Sequence, residues 1–113
     1  MKKLFAILLL GFVCTVTAQE IHFEKHIVDA ACGQCMFEMT EKKGCDLAVK
    51  IDGKTYFVEG TGIDDHGDAH APEGFCNAIR KAEVSGMVKD NKFLATQFRL
   101  FSLKEAEEVS SGK

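Results

Sequence analysis

A tight hairpin in the middle of the chain constrains the fold more than any other feature. Leu47, Val49 and Ile51 alternate with Asp46, Ala48 and Lys50, and residues 54–59 follow as a second β-rich run. The dipeptide Asp52-Gly53 separates the two runs and supplies the positive φ angles that a two-residue hairpin turn requires. The pattern predicts two antiparallel strands over residues 47–51 and 54–59.

Two further stretches alternate apolar with polar side chains. Residues 21–29 indicate a short strand or an extended lead-in, and residues 35–39 indicate a strand. Residues 83–103 read as a second hairpin with Asp90-Asn91 at its turn. The chain is therefore expected to be rich in antiparallel β-structure.

One helix is expected between the two hairpins. From Pro72 to Ala82 the apolar residues fall at helical spacing, and proline suits a first helical turn because its missing N–H has no partner there. Three strands, a helix and two strands predict a mainly β (α+β) fold, a five-stranded OB-like Greek-key barrel with its helix between strands 3 and 4. An open α+β sandwich has the same element order and stays an alternative.

The first 18 of the 113 residues have the anatomy of a secretory signal peptide. Lys2 and Lys3 precede an apolar run over residues 4–13, and small residues lead to a cleavage site after Ala18. Lipidation at Cys14 is the weaker alternative, because no small residue stands directly before it. We expect export to the periplasm or the extracellular space, with no stable membrane insertion after cleavage.

The mature chain would be acidic and would form one domain. Loss of Lys2 and Lys3 takes the formal charge from −3 to −5, and such a surface disfavours nucleic acid as a partner. After the signal peptide (1–18) we expect an N-terminal extended segment (19–29). The barrel domain (30–103) and a flexible polar tail (104–113) complete the chain.

Four cysteines remain after cleavage, and three kinds of chemistry are open to them. An even number of cysteines in a small exported domain favours disulfides, and four allow three pairings. The CGQC motif can also form a redox-active pair or donate two thiolates to a metal. No helix signal follows the motif, which argues against an oxidoreductase. The later spacings match no compact zinc knuckle. The four residues are Cys32, Cys35, Cys45 and Cys76.

The segment DDHGDAH concentrates carboxylates and imidazoles in one loop. Mixed nitrogen and oxygen ligands suit a divalent transition metal such as zinc or copper. We therefore predict a metal or small polar ligand site, with His66 and His70 as the nitrogen ligands. The alternative is a solvated turn, because aspartate and glycine are turn formers. The candidate oxygen ligands are Asp64, Asp65 and Asp68.

The barrel interpretation also predicts where these groups lie. If the first three strands run up, down and up, the turn at 41–45 and the loop at 60–71 share one rim. Cys45 is then expected near the acidic-histidine loop. Cys32 and Cys35 are expected at the opposite end.

Residues 28–101 resemble a family of small exported bacterial proteins described only as a domain of unknown function. The resemblance is carried by CGQC, GCDLAVKIDGKTYFVEG, IDDHGDAHA and GFCNAIRKA. It implies a small secreted or periplasmic single domain and assigns no activity. The four cysteines and the five loop residues match the family pattern at their own positions.

These observations together predict an exported binding domain rather than an enzyme. The metal or small ligand would bind at the 64–70 loop, and disulfides would stabilise the barrel. A thiol–disulfide redox protein using Cys32 and Cys35 is one alternative. A purely structural or protein-interaction module is the other.

Overall fold

The computed structural model describes residues 20–111, so the predicted signal peptide and Cys14 lie outside the described part of the chain. Five strands and two helices follow one another in chain order. They are β1 (Ile21–Cys32), α1 (Gly33–Met36), β2 (Leu47–Ile51), β3 (Lys54–Glu59), β4 (Arg80–Lys89), β5 (Lys92–Leu100) and α2 (Leu103–Ser111).

The five strands close into a barrel, which confirms the predicted fold class. The order around the barrel is β1-β2-β3-β5-β4. All neighbours are antiparallel except β3 and β5, which are parallel. This connectivity fits the OB-like Greek-key barrel expected from the sequence.

Both predicted hairpins are confirmed. Asp52 and Gly53 have φ angles of 50° and 83° and join β2 to β3. Asp90 and Asn91 have φ angles of 52° and 63° and join β4 to β5. Because such dipeptides tolerate positive φ, the local sequence sets the register of each pair.

The predicted domain boundary at residue 29 does not separate two structural units. β1 is continuous from Ile21 to Cys32, pairing with β4 over residues 21–30 and with β2 over residues 29–32. A bulge between Phe23 and His26 bends the strand within its pairing with β4. The expected N-terminal extended segment is therefore the first part of the barrel wall.

The expected polar tail is helical as far as it is described. The Ser102 hydroxyl accepts a hydrogen bond from the Glu105 backbone N–H at 3.1 Å, and the Glu105 carboxylate accepts one from the Ser102 N–H at 3.0 Å. This reciprocal pair is a capping box that starts α2. No helix within residues 20–111 has the length and apolar character needed to cross a membrane.

The helix predicted from Pro72 to Ala82 is absent, and turns occupy the segment instead. The Phe75 carbonyl accepts the Cys32 N–H of β1 at 2.9 Å, and the Cys76 N–H bonds back to Ala69 at 2.9 Å. These bonds to distant partners replace the i to i+4 ladder. The helical spacing of the apolar residues from Phe75 to Ala82 was misleading, because its last member, Ala82, belongs to strand β4.

The core fills the barrel and extends beneath the loop between β3 and β4. Phe93 and Val84 are fully buried, and Phe75 of the loop is 2% exposed. The loop therefore packs against the barrel through an aromatic side chain although it has no regular secondary structure. The buried core consists of Val28, Ala30, Leu47, Val49, Ile51, Tyr56, Phe75, Ala82, Val84, Val88 and Phe93.

Candidate metal centre

The four cysteines meet at one place beside the end of β1. Their sulfur atoms all lie within 4.8 Å of one another, the only such group of three or more candidate ligands within residues 20–111. Cys45 is central: its Sγ lies 3.2 Å from that of Cys32, 3.5 Å from that of Cys35 and 3.1 Å from that of Cys76. The expectation that Cys32 and Cys35 lie at the opposite end from Cys45 is wrong.

Strand pairing brings the first three cysteines together. Cys32 is the last residue of β1 and pairs with Leu47, the first residue of β2. Cys45 lies two residues before Leu47 and therefore beside Cys32. The Gly33 N–H donates to the Asp46 carbonyl at 2.8 Å and continues this pairing into α1, which carries Cys35.

A long-range backbone bond supplies the fourth cysteine. The Cys32 N–H donates to the Phe75 carbonyl, which fixes the loop between β3 and β4 against the end of β1. Cys76 follows Phe75 directly, so burial of the aromatic ring and this hydrogen bond together place its sulfur in the cluster. Three separate chain segments therefore contribute thiols.

The CGQC segment forms a single helical turn instead of the predicted strand over residues 35–39. Cys32 is its N-cap, and its Sγ accepts a hydrogen bond from the Cys35 backbone N–H at 3.3 Å. Backbone N–H groups that point at a sulfur favour its thiolate form. The turn thus brings the Cys32 and Cys35 sulfurs to one side, and the Cys32 sulfur already accepts a backbone hydrogen bond.

Gln34, between the two cysteines, connects this turn to the segment that carries Cys45. Its Oε1 accepts the Asp46 backbone N–H at 2.9 Å, and its Nε2 donates to the Asp46 carboxylate at 2.7 Å. These two bonds hold the residue that follows Cys45, and so help to position the Cys45 sulfur. Sequence reasoning missed this role, since nothing local links Gln34 to Asp46.

The sulfur separations fit one metal ion. A disulfide needs about 2.0 Å, and all four cysteines are free thiols in the structure. Zinc–sulfur bonds of about 2.3 Å in a tetrahedron place the sulfurs about 3.8 Å apart. The three contacts of Cys45, at 3.1, 3.2 and 3.5 Å, are shorter than that edge by about 0.3–0.7 Å. Small side-chain rotations would complete the tetrahedron.

The cluster is buried on one side and open on the other. Cys32 is fully buried, Cys45 and Cys76 are half-buried, and Cys35 is exposed to solvent. Solvent therefore reaches the site past Cys35. A metal ion could enter there without unfolding of the barrel.

The thiols perturb one another's ionisation. Burial raises the pKa of the Cys32 thiol, but hydrogen bonds from Cys35 and Cys45 outweigh it and hold the pKa below its ordinary value. Hydrogen bonding to Cys32 raises the pKa of Cys35 to about 12, and hydrogen bonding to Cys76 raises that of Cys45 to about 12. Burial raises the pKa of Cys76. Of the four thiols, Cys32 is therefore the first to lose its proton as the pH rises.

The predicted His/Asp ligand set does not converge. Its five members, Asp64, Asp65, His66, Asp68 and His70, form no group of three ligand atoms in the described chain. The Asp65 carboxylate accepts the Gly62 N–H at 2.6 Å, and that of Asp68 accepts the His70 N–H at 2.9 Å. These are the short-range bonds of a polar turn, which was the alternative interpretation of the segment.

His66 packs inward instead of facing a ligand. Its Nε2 lies 2.8 Å from the Thr61 hydroxyl, and its ring centroid lies 4.5 Å from that of Phe98. Burial lowers its pKa, against a smaller opposing effect of Asp65. With Arg80, His66 borders a cavity of about 110 Å³.

The comparisons with known proteins agree with the resemblance seen in the sequence. No curated protein and no solved structure matches the chain. A family model matches residues 26–101, a span that contains all five strands except the first residues of β1 and all four clustered cysteines. On this match, the chain belongs to DUF6370, a family of unknown function.

Proposed function

We propose that this protein is an exported metal-binding domain in which four thiolates hold a single zinc ion. The supporting observation is the convergence of four sulfurs within 4.8 Å, contributed by three segments of the chain. Four sulfur ligand atoms, all of a type that prefers soft cations, therefore surround one point. The proposed ligands are Cys32, Cys35, Cys45 and Cys76.

Zinc fits this ligand set better than copper(II). Tetrahedral sites with four sulfurs are typical of zinc, whereas copper(II) prefers nitrogen and oxygen ligands in tetragonal geometry. An iron–sulfur cluster places several ions between its cysteines and needs a wider spacing than a single ion does. Within the described residues, the sulfurs are close enough for one ion only.

The proposed metal would add a cross-link between parts of the fold that lie outside the β-ladders. Cys76 lies in a loop of turns, and Cys35 lies in a helix of four residues. A metal bound to both would cross-link them to the end of β1 and the start of β2. Because these ligands converge only in the folded chain, binding free energy would add to folding free energy.

A thiol–disulfide exchange catalyst is the second candidate, and the ionisation of the pair disfavours it. In such catalysts the accessible thiol has a lowered pKa and acts as the nucleophile. Here the pKa of exposed Cys35 is raised, and the lowered pKa belongs to buried Cys32. We therefore propose a binding function and no catalytic one.

Metal analysis of the purified mature chain tests the proposal. We expect about one zinc per chain for the wild type and for a His66→Ala/His70→Ala variant, since those histidines lie outside the cluster. Cys45→Ser removes the central ligand and should abolish stoichiometric binding. A wild type that takes up no zinc, or loss of zinc in the histidine variant alone, would contradict the proposal.

A further inference from the structure

We infer that the centre is a redox-sensitive site, at which a small-molecule disulfide modifies Cys35 and displaces the metal. The inference rests on the proposed function, because it concerns the thiolates of the metal-bound form. It assigns Cys35 as the modified residue and Cys45 as the resolving residue. It also names small-molecule disulfides as the class of reactant.

Exposure selects the sulfur that reacts first. Cys35 is exposed, whereas Cys32 is fully buried and the other two cysteines are half-buried. An attacking sulfur must reach one disulfide sulfur in line, which requires open space on its outer side. Coordination keeps a metal-bound cysteine as the thiolate, so Cys35 is a nucleophile while the ion is in place.

Proximity selects the sulfur that completes the reaction. The Cys45 Sγ lies 3.5 Å from the Cys35 Sγ, a contact that needs little movement to become a bond. Cys32 is held by the Cys35 N–H and by the strand pairing at the end of β1. Cys45 precedes β2 and is not part of the ladder, which leaves it freer to turn towards Cys35.

The reaction balances with no further reactant. The Cys35 thiolate attacks the small disulfide, and one thiolate of that molecule leaves. The Cys45 thiolate then attacks the Cys35 sulfur, a protein disulfide forms, and the second small thiolate leaves. Two electrons pass from the cysteines to the small disulfide, and the metal leaves as the same dication that was bound.

Loss of these two ligands is sufficient to empty the site. The Cys45 Sγ lies within 3.5 Å of each of the three other sulfurs, so its oxidation removes the centre of the cluster. The two cysteines that remain cannot provide the four ligands of a closed zinc site. The ion should therefore be released.

Release from zinc-loaded protein by oxidised glutathione tests the inference. A chromogenic zinc chelator reports the rate, and mass spectrometry of alkylated peptides reports the sulfur bonds. For the wild type we expect zinc release that matches formation of a Cys35–Cys45 disulfide. Cys35→Ser and Cys76→Ser each lose one ligand, but only Cys35→Ser should slow oxidation, by roughly tenfold or more.

Rapid alkylation during the reaction makes the order of events visible. In the zinc-loaded wild type a glutathione mixed disulfide on Cys35 should appear first, and it should disappear as the Cys35–Cys45 disulfide forms. An adduct first on another cysteine, or equal rates in the two serine variants, overturns the inference. Zinc that is bound but not released also overturns it, whereas absence of zinc uptake refutes the proposed function itself.

Discussion

Gly33→Ala tests how tightly the CGQC turn is packed against the barrel. A Cβ atom at this position would lie 2.7 Å from the Phe57 ring, 2.8 Å from the Met39 sulfur and 3.1 Å from the Ala48 Cβ. Gly33 has no positive φ, so its backbone conformation is open to alanine. The glycine is therefore required for space and not for conformation.

The magnitude follows from two opposing effects. Overpacking of this kind costs about 1–3 kcal/mol. Replacing a glycine by alanine also reduces the conformational freedom of the unfolded chain, which stabilises the folded protein by about 0.4–1 kcal/mol where the backbone conformation allows alanine. The net loss should be about 1–2 kcal/mol, which lowers the Tm of a domain of this size by about 4–16 °C.

Urea unfolding of the metal-free protein in the presence of a chelator is the appropriate assay. Gly62→Ala is the matched control, since Gly62 also lacks a positive φ and is exposed on the surface. Its change should stay within about 0.5 kcal/mol. If Gly33→Ala is as stable as the wild type, the space above Gly33 is not filled and the packing argument is refuted.

Three further predictions concern the core, the pH response and the loop. Phe93→Ala should cost about 3–5 kcal/mol in urea unfolding because Phe93 is fully buried; a loss below about 1 kcal/mol would contradict its place in the core. His66 has a lowered pKa, so the unfolded chain binds its proton first and stability should fall as pH drops through about 6.5. His66→Gln should reduce that slope, and an unchanged slope would refute the reasoning. Arg80 donates hydrogen bonds to the Glu73 carbonyl at 2.7 Å and to the Phe101 carbonyl at 2.8 Å. Arg80→Met should therefore lower the free energy of unfolding by about 1–3 kcal/mol in the same assay. A neutral effect would show that these bonds do not hold the loop.

The barrel could be predicted where the signals are local. Asp52-Gly53 and Asp90-Asn91 fix two hairpins because their backbone angles depend on the residues themselves. The helix expected from Pro72 failed for the opposite reason. The Phe75 carbonyl bonds to β1, and this tertiary contact overrides the helical spacing.

The cysteine cluster could not be located from local sequence. Cys35 and Cys45 are ten residues apart, and Cys76 lies 31 residues beyond Cys45. No spacing rule links them, because strand pairing and the Phe75 hydrogen bond bring them together. The DDHGDAH segment gave the stronger local signal but uses its polar groups in turns.

X-ray absorption at the zinc edge of the loaded protein identifies the ligand atoms of the proposed site. We expect four sulfur ligands at about 2.3 Å, with no nitrogen or oxygen bound to the zinc. A shell of nitrogen or oxygen at about 2.0–2.1 Å in place of sulfur would contradict this expectation and would move the site to the histidine loop.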